Sequence, residues 1–145
     1  MDELVQQMKV VLATTFSLYL KTHYFHWNVE GSNFPQYHSF LDGIYNEVYG
    51  AVDGIAEEIR SLNAYAPGSL KRFSELSKIE DETSIPDPVR MMKILFMDNK
   101  ILIDELKTAR KMAEDNDCYG LVNFLEDRLD KHFKHDWMLR STIKA

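Results

Sequence analysis

Apolar residues recur every three or four positions along most of this 145-residue chain, the spacing of one face of an α-helix. Leu4, Met8, Val11, Leu12, Phe16 and Tyr19 trace the first such face, expected to end near Trp27 to Gly31. Ser32 or Asn33 is placed to cap a second helix, with Pro35 tolerated in its first turn. That helix would carry Phe34, Tyr37, Leu41, Ile44, Tyr45, Val48, Val52, Ile55, Ile59 and Leu62 inward, and Ala66-Pro67-Gly68-Ser69 should stop it. A short helix over Leu70 to Leu76 and a polar loop over Ser77 to Ser84 are expected next. Asp87 before Pro88 reads as a cap followed by proline at the first helical position. A third long helix then shows Met92, Leu95, Phe96, Leu102, Ile103, Leu106, Ala109 and Met112. After an acidic turn, Glu114 to Asp117, with Asp117 the expected cap, a fourth carries Leu121, Leu125, Leu129, Phe133, Trp137 and Leu139.

Four long amphipathic helices in one stretch of this length predict a single all-α domain over residues 1–145, a four-helix bundle. The connection from about Asn63 to Asp87 is long enough for the helices on either side of it to run parallel. A crossover of that kind is the connection of ferritin-like bundles, whereas up-and-down bundles use short loops throughout.

Composition sharpens this picture by exclusion. Four prolines and six glycines are few for a chain of many short strands. The net charge of −6, with no basic run, opposes binding to phosphate backbones and favours cations. One cysteine, Cys118, excludes an intrachain disulfide and a multi-cysteine zinc site and suits a reducing cytoplasm. Val10 to Leu20 is interrupted by Thr14, Thr15 and Ser17 and lacks a basic flank, so no signal peptide is expected. No stretch reaches the ~20 apolar residues of a membrane span.

The candidate chemistry lies on the polar side of the second helix. His38 and Asp42 are four apart, as are Asp53 and Glu57. At ~100° per residue, Asp42, Asp53 and Glu57 lie roughly 40°, 60° and 100° from His38, so all four share a stripe. Imidazole with carboxylates suits iron, manganese or zinc. Yet His38 and Asp53 stand ~22 Å apart along the axis, and Asp42 and Asp53 ~16 Å. One metal centre cannot draw on both pairs of a single chain. Either the pairs are unrelated members of a solvated face, or each is half of a site completed by another subunit. A twofold axis crossing the stripe would bring His38 and Asp42 against Asp53 and Glu57 of an antiparallel mate, generating two equivalent sites. His26, at the end of the first helix, could join the histidine half.

The residues just named resemble the Dps family, the mini-ferritins named for DNA protection in starved cells. The family pattern is a histidine–tryptophan pair, a glycine, a phenylalanine, a histidine and an aspartate, then an aspartate with a glutamate four on. His26-Trp27, Gly31, Phe34, His38, Asp42, Asp53 and Glu57 stand at matching offsets. Ala56-Glu57-Glu58-Ile59 replaces the usual Ala-Glu-Arg-Ile, and His135-Asp136-Trp137-Met138-Leu139-Arg140 resembles the family's last helix. The resemblance implies a cytoplasmic, hollow dodecamer that oxidises Fe(II), often with hydrogen peroxide, and stores the ferric mineral. It implies a di-iron site at a subunit interface, with His26, His38, Asp42, Asp53 and Glu57 as ligands. Trp27 would be a sink for stray oxidising equivalents, or interface packing. Ordinary ferritins use Glu-x-x-His pairs inside one bundle, and this chain has no Glu-x-x-His.

Other residues have weaker claims. Glu114, Asp115 and Asp117 could line an acidic pore, or simply be solvated. His23 is expected to be a structural or surface residue, and is the best placed of the remaining histidines to support His26, three positions on. His132 and His135 are expected to be structural or surface residues, and Met91, Met92, Met97 and Met112 core filler. Cys118 has no base near it in sequence. Family members that bind DNA often use a lysine-rich N-terminal tail, absent here, so DNA binding is not expected.

Overall fold

In the computed structural model, residues 1–144 are described; Ala145, the last residue of the expected domain, lies outside them. Four long helices and a short one form the fold: α1 (Asp2–Asn28), α2 (Phe34–Ser61), α3 (Leu70–Leu76), α4 (Pro88–Asp115) and α5 (Tyr119–Ile143). There is no strand among the described residues. Among the described residues no helix is long and apolar enough to cross a membrane.

Local signals act where the sequence places them, with two exceptions. Ser69 and Asp87 cap α3 and α4 by accepting the backbone N–H of Arg72 and Arg90. Asn33 occupies the cap position of α2 but its side chain makes no capping bond. The link from α1 to α2 turns at Gly31, whose φ of 122° is open only to glycine without strain. The cap of α5 is Cys118, not Asp117; Asp117 instead adopts a left-handed φ of 55° that closes the turn. The acidic turn is also shorter than expected. Glu114 and Asp115 belong to the last turn of α4, where Arg110 and Lys111 pair with them at 2.9 and 2.6 Å.

Polar bonds between helices fix the bundle's directions. Gln7 reaches Glu105 and Lys21 reaches Asp98, so α1 and α4 are antiparallel. Asn99 meets His132 and Arg110 meets Glu126, so α4 and α5 are antiparallel as well. The short 29–33 link makes α2 antiparallel to α1, so α2 and α4 run parallel across the crossover. The core is the inward faces: Leu4, Met8, Leu12, Phe25, Leu41, Ile55, Ile59, Met92, Leu95 and Leu102 are all buried. Each such side chain contributes roughly 1.5–3 kcal/mol on leaving water.

Three expected core positions are corrected by packing. Met97 is 58% exposed, and Phe133 and Trp137 are exposed on the outward side of α5. Their spacing fits a helix, but the bundle takes its inner face of α5 from Leu125, Arg128, Leu129, His132, His135, Asp136 and Leu139. The seam between α2 and α5 is closed at Gly54, where a Cβ would meet the Phe124 ring at 3.2 Å.

Candidate metal centre

The last turn of α1 and the first turns of α2 bring His26 and His38 together. Their rings stack with centroids 3.7 Å apart and planes at 15°. The bonding is reciprocal: His26 Nδ1 donates to the carbonyl of His38, and His38 Nδ1 donates to the carbonyl of His26, both at 2.8 Å. A carbonyl only accepts, so both protons are held on Nδ1. With Nδ1 as the donor, either ring in its neutral form presents Nε2 with a free lone pair, the form in which imidazole binds a metal. Phe34 backs His38, with ring centroids 4.9 Å apart.

The carboxylates are prepared differently. Asn46 donates to Asp42 Oδ1 at 2.6 Å and to the Asp42 carbonyl, holding that side chain beside the helix. Asp53 and Glu57 are exposed. Hydrogen bonding to Asp53, then its charge, pushes the Glu57 carboxyl above its ordinary value. Two carboxyls that crowd each other gain most from an added cation. None of Asp42, Asp53 and Glu57 joins a salt bridge among the described residues.

No group of three histidine, cysteine, aspartate or glutamate side chains is placed to hold a metal ion among the described residues. The structure thus brings His26 to His38, and keeps Asp53 next to Glu57, but does not bring the two pairs together. The donors are of the right kind for iron, two imidazole nitrogens and three carboxylates. What one chain holds is two incomplete sets.

An aromatic wall that the sequence reading missed stands beside the histidines. Tyr45 stacks on His23 at 3.8 Å and 9°, and lies 5.0 Å from the His26 ring. His23 also meets Trp27 at 4.2 Å and shares a 3.0 Å hydrogen bond with Tyr19. Burial, then nearby His26, lowers the His23 pKa, and Asp42 opposes this only in part. Tyr45 sits seven positions after His38, two helical turns along the same face, and that spacing was the signal available. Trp27 itself is 57% exposed.

Comparison with known proteins agrees with this architecture. The ferritin-like domain family matches residues 5–145. A DNA protection during starvation protein of Brevibacillus brevis is 31% identical over 97% of both chains. Among solved structures, antigen TpF1 of Treponema pallidum superposes with a TM-score of 0.95 at 30% identity, covering 99% of this chain and 93% of that one. A Dps protein of Bacillus brevis gives 0.94 at 29% identity, over 99% and 96%. With the ferritin-like bundle, the stacked histidine pair and these relatives in agreement, the chain belongs to the Dps family of ferritin-like proteins.

Proposed function

We propose that this protein is a ferroxidase that oxidises Fe(II) with hydrogen peroxide and stores ferric iron in a hollow homo-oligomer, a dodecamer, protecting its cell from oxidative damage. The observation that carries the reading is the paired set of incomplete donors. His26 and His38 present two free Nε2 atoms at one end of α2, and Asp53 with Glu57 leaves unpaired carboxylates ~22 Å along it. A twofold-related mate supplies each half with what it lacks. The exposed apolar side chains Leu20, Trp27, Phe34 and Tyr49 on α1 and α2 support a partner that covers this face.

The roles follow from donor chemistry. His26 and His38 bind Fe(II) through Nε2, and Asp42 adds a carboxylate beside them. Asp53 and Glu57 of the mate supply hard oxygen donors, which favour the ferric product and so assist oxidation. Glu57 would share its two oxygens between a pair of ions. Hydrogen peroxide accepts an electron pair and each Fe(II) gives one electron, so a pair of ions is the matched donor and no hydroxyl radical need escape. Trp27, exposed next to His26, takes up stray oxidising equivalents. The chain's −6 charge argues against tight DNA binding at physiological salt, and a cytoplasmic setting suits its single thiol.

The test adds Fe(II) anaerobically, then peroxide, and follows ferric absorbance. Wild type should oxidise iron rapidly, and a His38→Ala, Asp53→Ala variant should not; equal rates in the two would sink the reading. Size-exclusion chromatography checks the container, because a dimer or smaller species leaves no cavity for mineral. Retention of DNA in a gel shift at micromolar protein without divalent metal would overturn the DNA claim.

A further inference from the structure

The aromatic wall beside His26 holds a pair of side chains that metal binding leaves unused. Tyr19 of α1 shares a 3.0 Å hydrogen bond with Nδ1 of His23, one helical turn on. A phenol is the stronger donor and a neutral imidazole nitrogen the stronger acceptor, so the Tyr19 O–H donates and Nδ1 accepts. Burial, then the charges of Tyr49 and Tyr45, raises the Tyr19 pKa above its ordinary 10.0, so the hydroxyl keeps its proton at neutral pH. Among the described residues, Tyr19 and Tyr24 are the tyrosines whose hydroxyls are hydrogen-bonded. Tyr24 donates to the Ser84 carbonyl, which cannot carry the proton away, whereas an imidazole can.

Short ring-to-ring steps connect the pair to the candidate metal centre. Tyr45 lies 5.0 Å from the His26 ring, stacks on His23 at 3.8 Å and stands 6.3 Å from Tyr19. Trp27 meets the same His23 ring at 4.2 Å, and Tyr49 extends the group, 4.7 Å from Tyr19. An oxidised phenol is a strong acid. Its electron therefore leaves readily only where a base within hydrogen-bond reach takes the proton in the same event. Tyr19 has that base in His23.

We infer that Tyr19, with His23 as its proton acceptor, is the resting place of oxidising equivalents that escape the iron pair. The inference rests on the ferroxidase reading for the source of its oxidant, the hydroxyl radical that a lone Fe(II) forms from peroxide. That radical takes one electron from Tyr19 by way of Tyr45 and becomes hydroxide. The phenolic proton moves along the hydrogen bond to His23 Nδ1, leaving a neutral tyrosyl radical beside an imidazolium. A further Fe(II) returns the electron and His23 returns the proton, which restores both side chains. Over the cycle a pair of Fe(II) ions and one peroxide give a pair of Fe(III) ions and a pair of hydroxides, the same balance as paired oxidation.

The test has an iron arm and an iron-free arm. In the first, substoichiometric Fe(II) is mixed anaerobically with peroxide and frozen. Electron paramagnetic resonance then reads tyrosyl radical per ferric ion formed. Wild type should give the signal. Tyr19→Phe, which keeps a ring against Phe16 and Tyr49, should lose most of it. His23→Gln keeps Tyr19 but supplies no base, and should lower the signal by about tenfold or more. In the iron-free arm, flash-photolysed tris(bipyridine)ruthenium with persulfate supplies the one-electron oxidant. A Tyr65→Phe, Tyr119→Phe background removes two strongly exposed tyrosines. The same losses should appear there, and with Tyr19 and His23 in place the radical should form more slowly in heavy water, because a proton moves with the electron. A wild type that forms no ferric iron ends the ferroxidase reading and leaves the iron-free arm to decide on the pair. In that arm, a signal that persists in Tyr19→Phe, or that His23→Gln leaves undiminished, overturns the inference. Circular dichroism checks that each variant folds. The heavy-water effect needs neither of those variants, and its absence overturns the inference equally.

Discussion

The outward donors His26, His38, Asp53 and Glu57 and the internal cluster of Glu47, Arg128, His132 and His135 both join imidazoles to carboxylates, yet they stand in opposite states. At the end of α1, His26 and His38 spend their Nδ1 protons on each other's backbone and leave Nε2 empty. Inside the bundle, His132 Nε2 and Glu47 are already occupied by Arg128. Among the described residues Asp53 and Glu57 have no cationic partner, whereas hydrogen bonds from His135 and Arg128 outweigh the effect of burial on Glu47 and hold its carboxyl far below the carboxylate range. Residue type therefore does not separate a metal site from a structural knot. The separating property is whether the donors still have lone pairs or charges unsatisfied.

Arg128→Ala should break the contrast most strongly. It leaves Glu47 charged and half-buried without its partner, and the loss should be roughly 3–5 kcal/mol by chemical denaturation. A loss under ~1 kcal/mol would mean that the guanidinium is not holding the seam. His38→Ala should barely move stability by comparison, and should slow peroxide-driven iron oxidation by about 100-fold or more. Stopped-flow absorbance measures this, and an unchanged rate would place the reacting ions elsewhere.

A pH titration of stability should sharpen the contrast further. Burial, then the Arg128 charge, holds the His132 pKa well below its ordinary 6.5. The unfolded chain binds a proton there that the folded chain refuses. Stability is therefore complete above pH 6.5 and falls below it, with a slope approaching about 1.4 kcal/mol per pH unit for this group. Glu47 adds to the loss below its ordinary 4.5, because its folded carboxyl stays ionised when the unfolded one is protonated. His132→Gln should flatten the curve between roughly pH 6.5 and 5. The smallest effect expected is that of Asn46→Ala. It frees Asp42 from its 2.6 Å bond and should weaken Fe(II) binding by about tenfold without touching the Glu47–Arg128 pair.

Much of this was legible along the chain. The cap at Asp87 and the proline starts at Pro35 and Pro88 act over a few residues, so their outcome is local. The stripe of His38, Asp42, Asp53 and Glu57 follows from helical periodicity alone. Less legible was the direction in which a helix with two apolar stripes turns. Phe133 and Trp137 read as core because their spacing is helical, and packing chose the face carrying Arg128, His132 and His135 instead. The Asp117 cap failed for a related reason: the chain needed a left-handed residue in the tight turn after α4, and Asp117 supplied it.

By itself the sequence determined the helices, the crossover and the set of potential ligands, because periodicity, caps and spacing along an axis are properties of neighbouring residues. It also determined that one chain cannot close a site over ~22 Å of helix. Only the tertiary structure decided the tautomers of His26 and His38, since each is set by a carbonyl twelve positions away on the other helix. It alone decided that Glu47, separated by 81 residues from Arg128, would meet that cation. Hydrogen bonds and ion pairs act over a few ångströms of space, and the fold is what turns sequence separation into that distance.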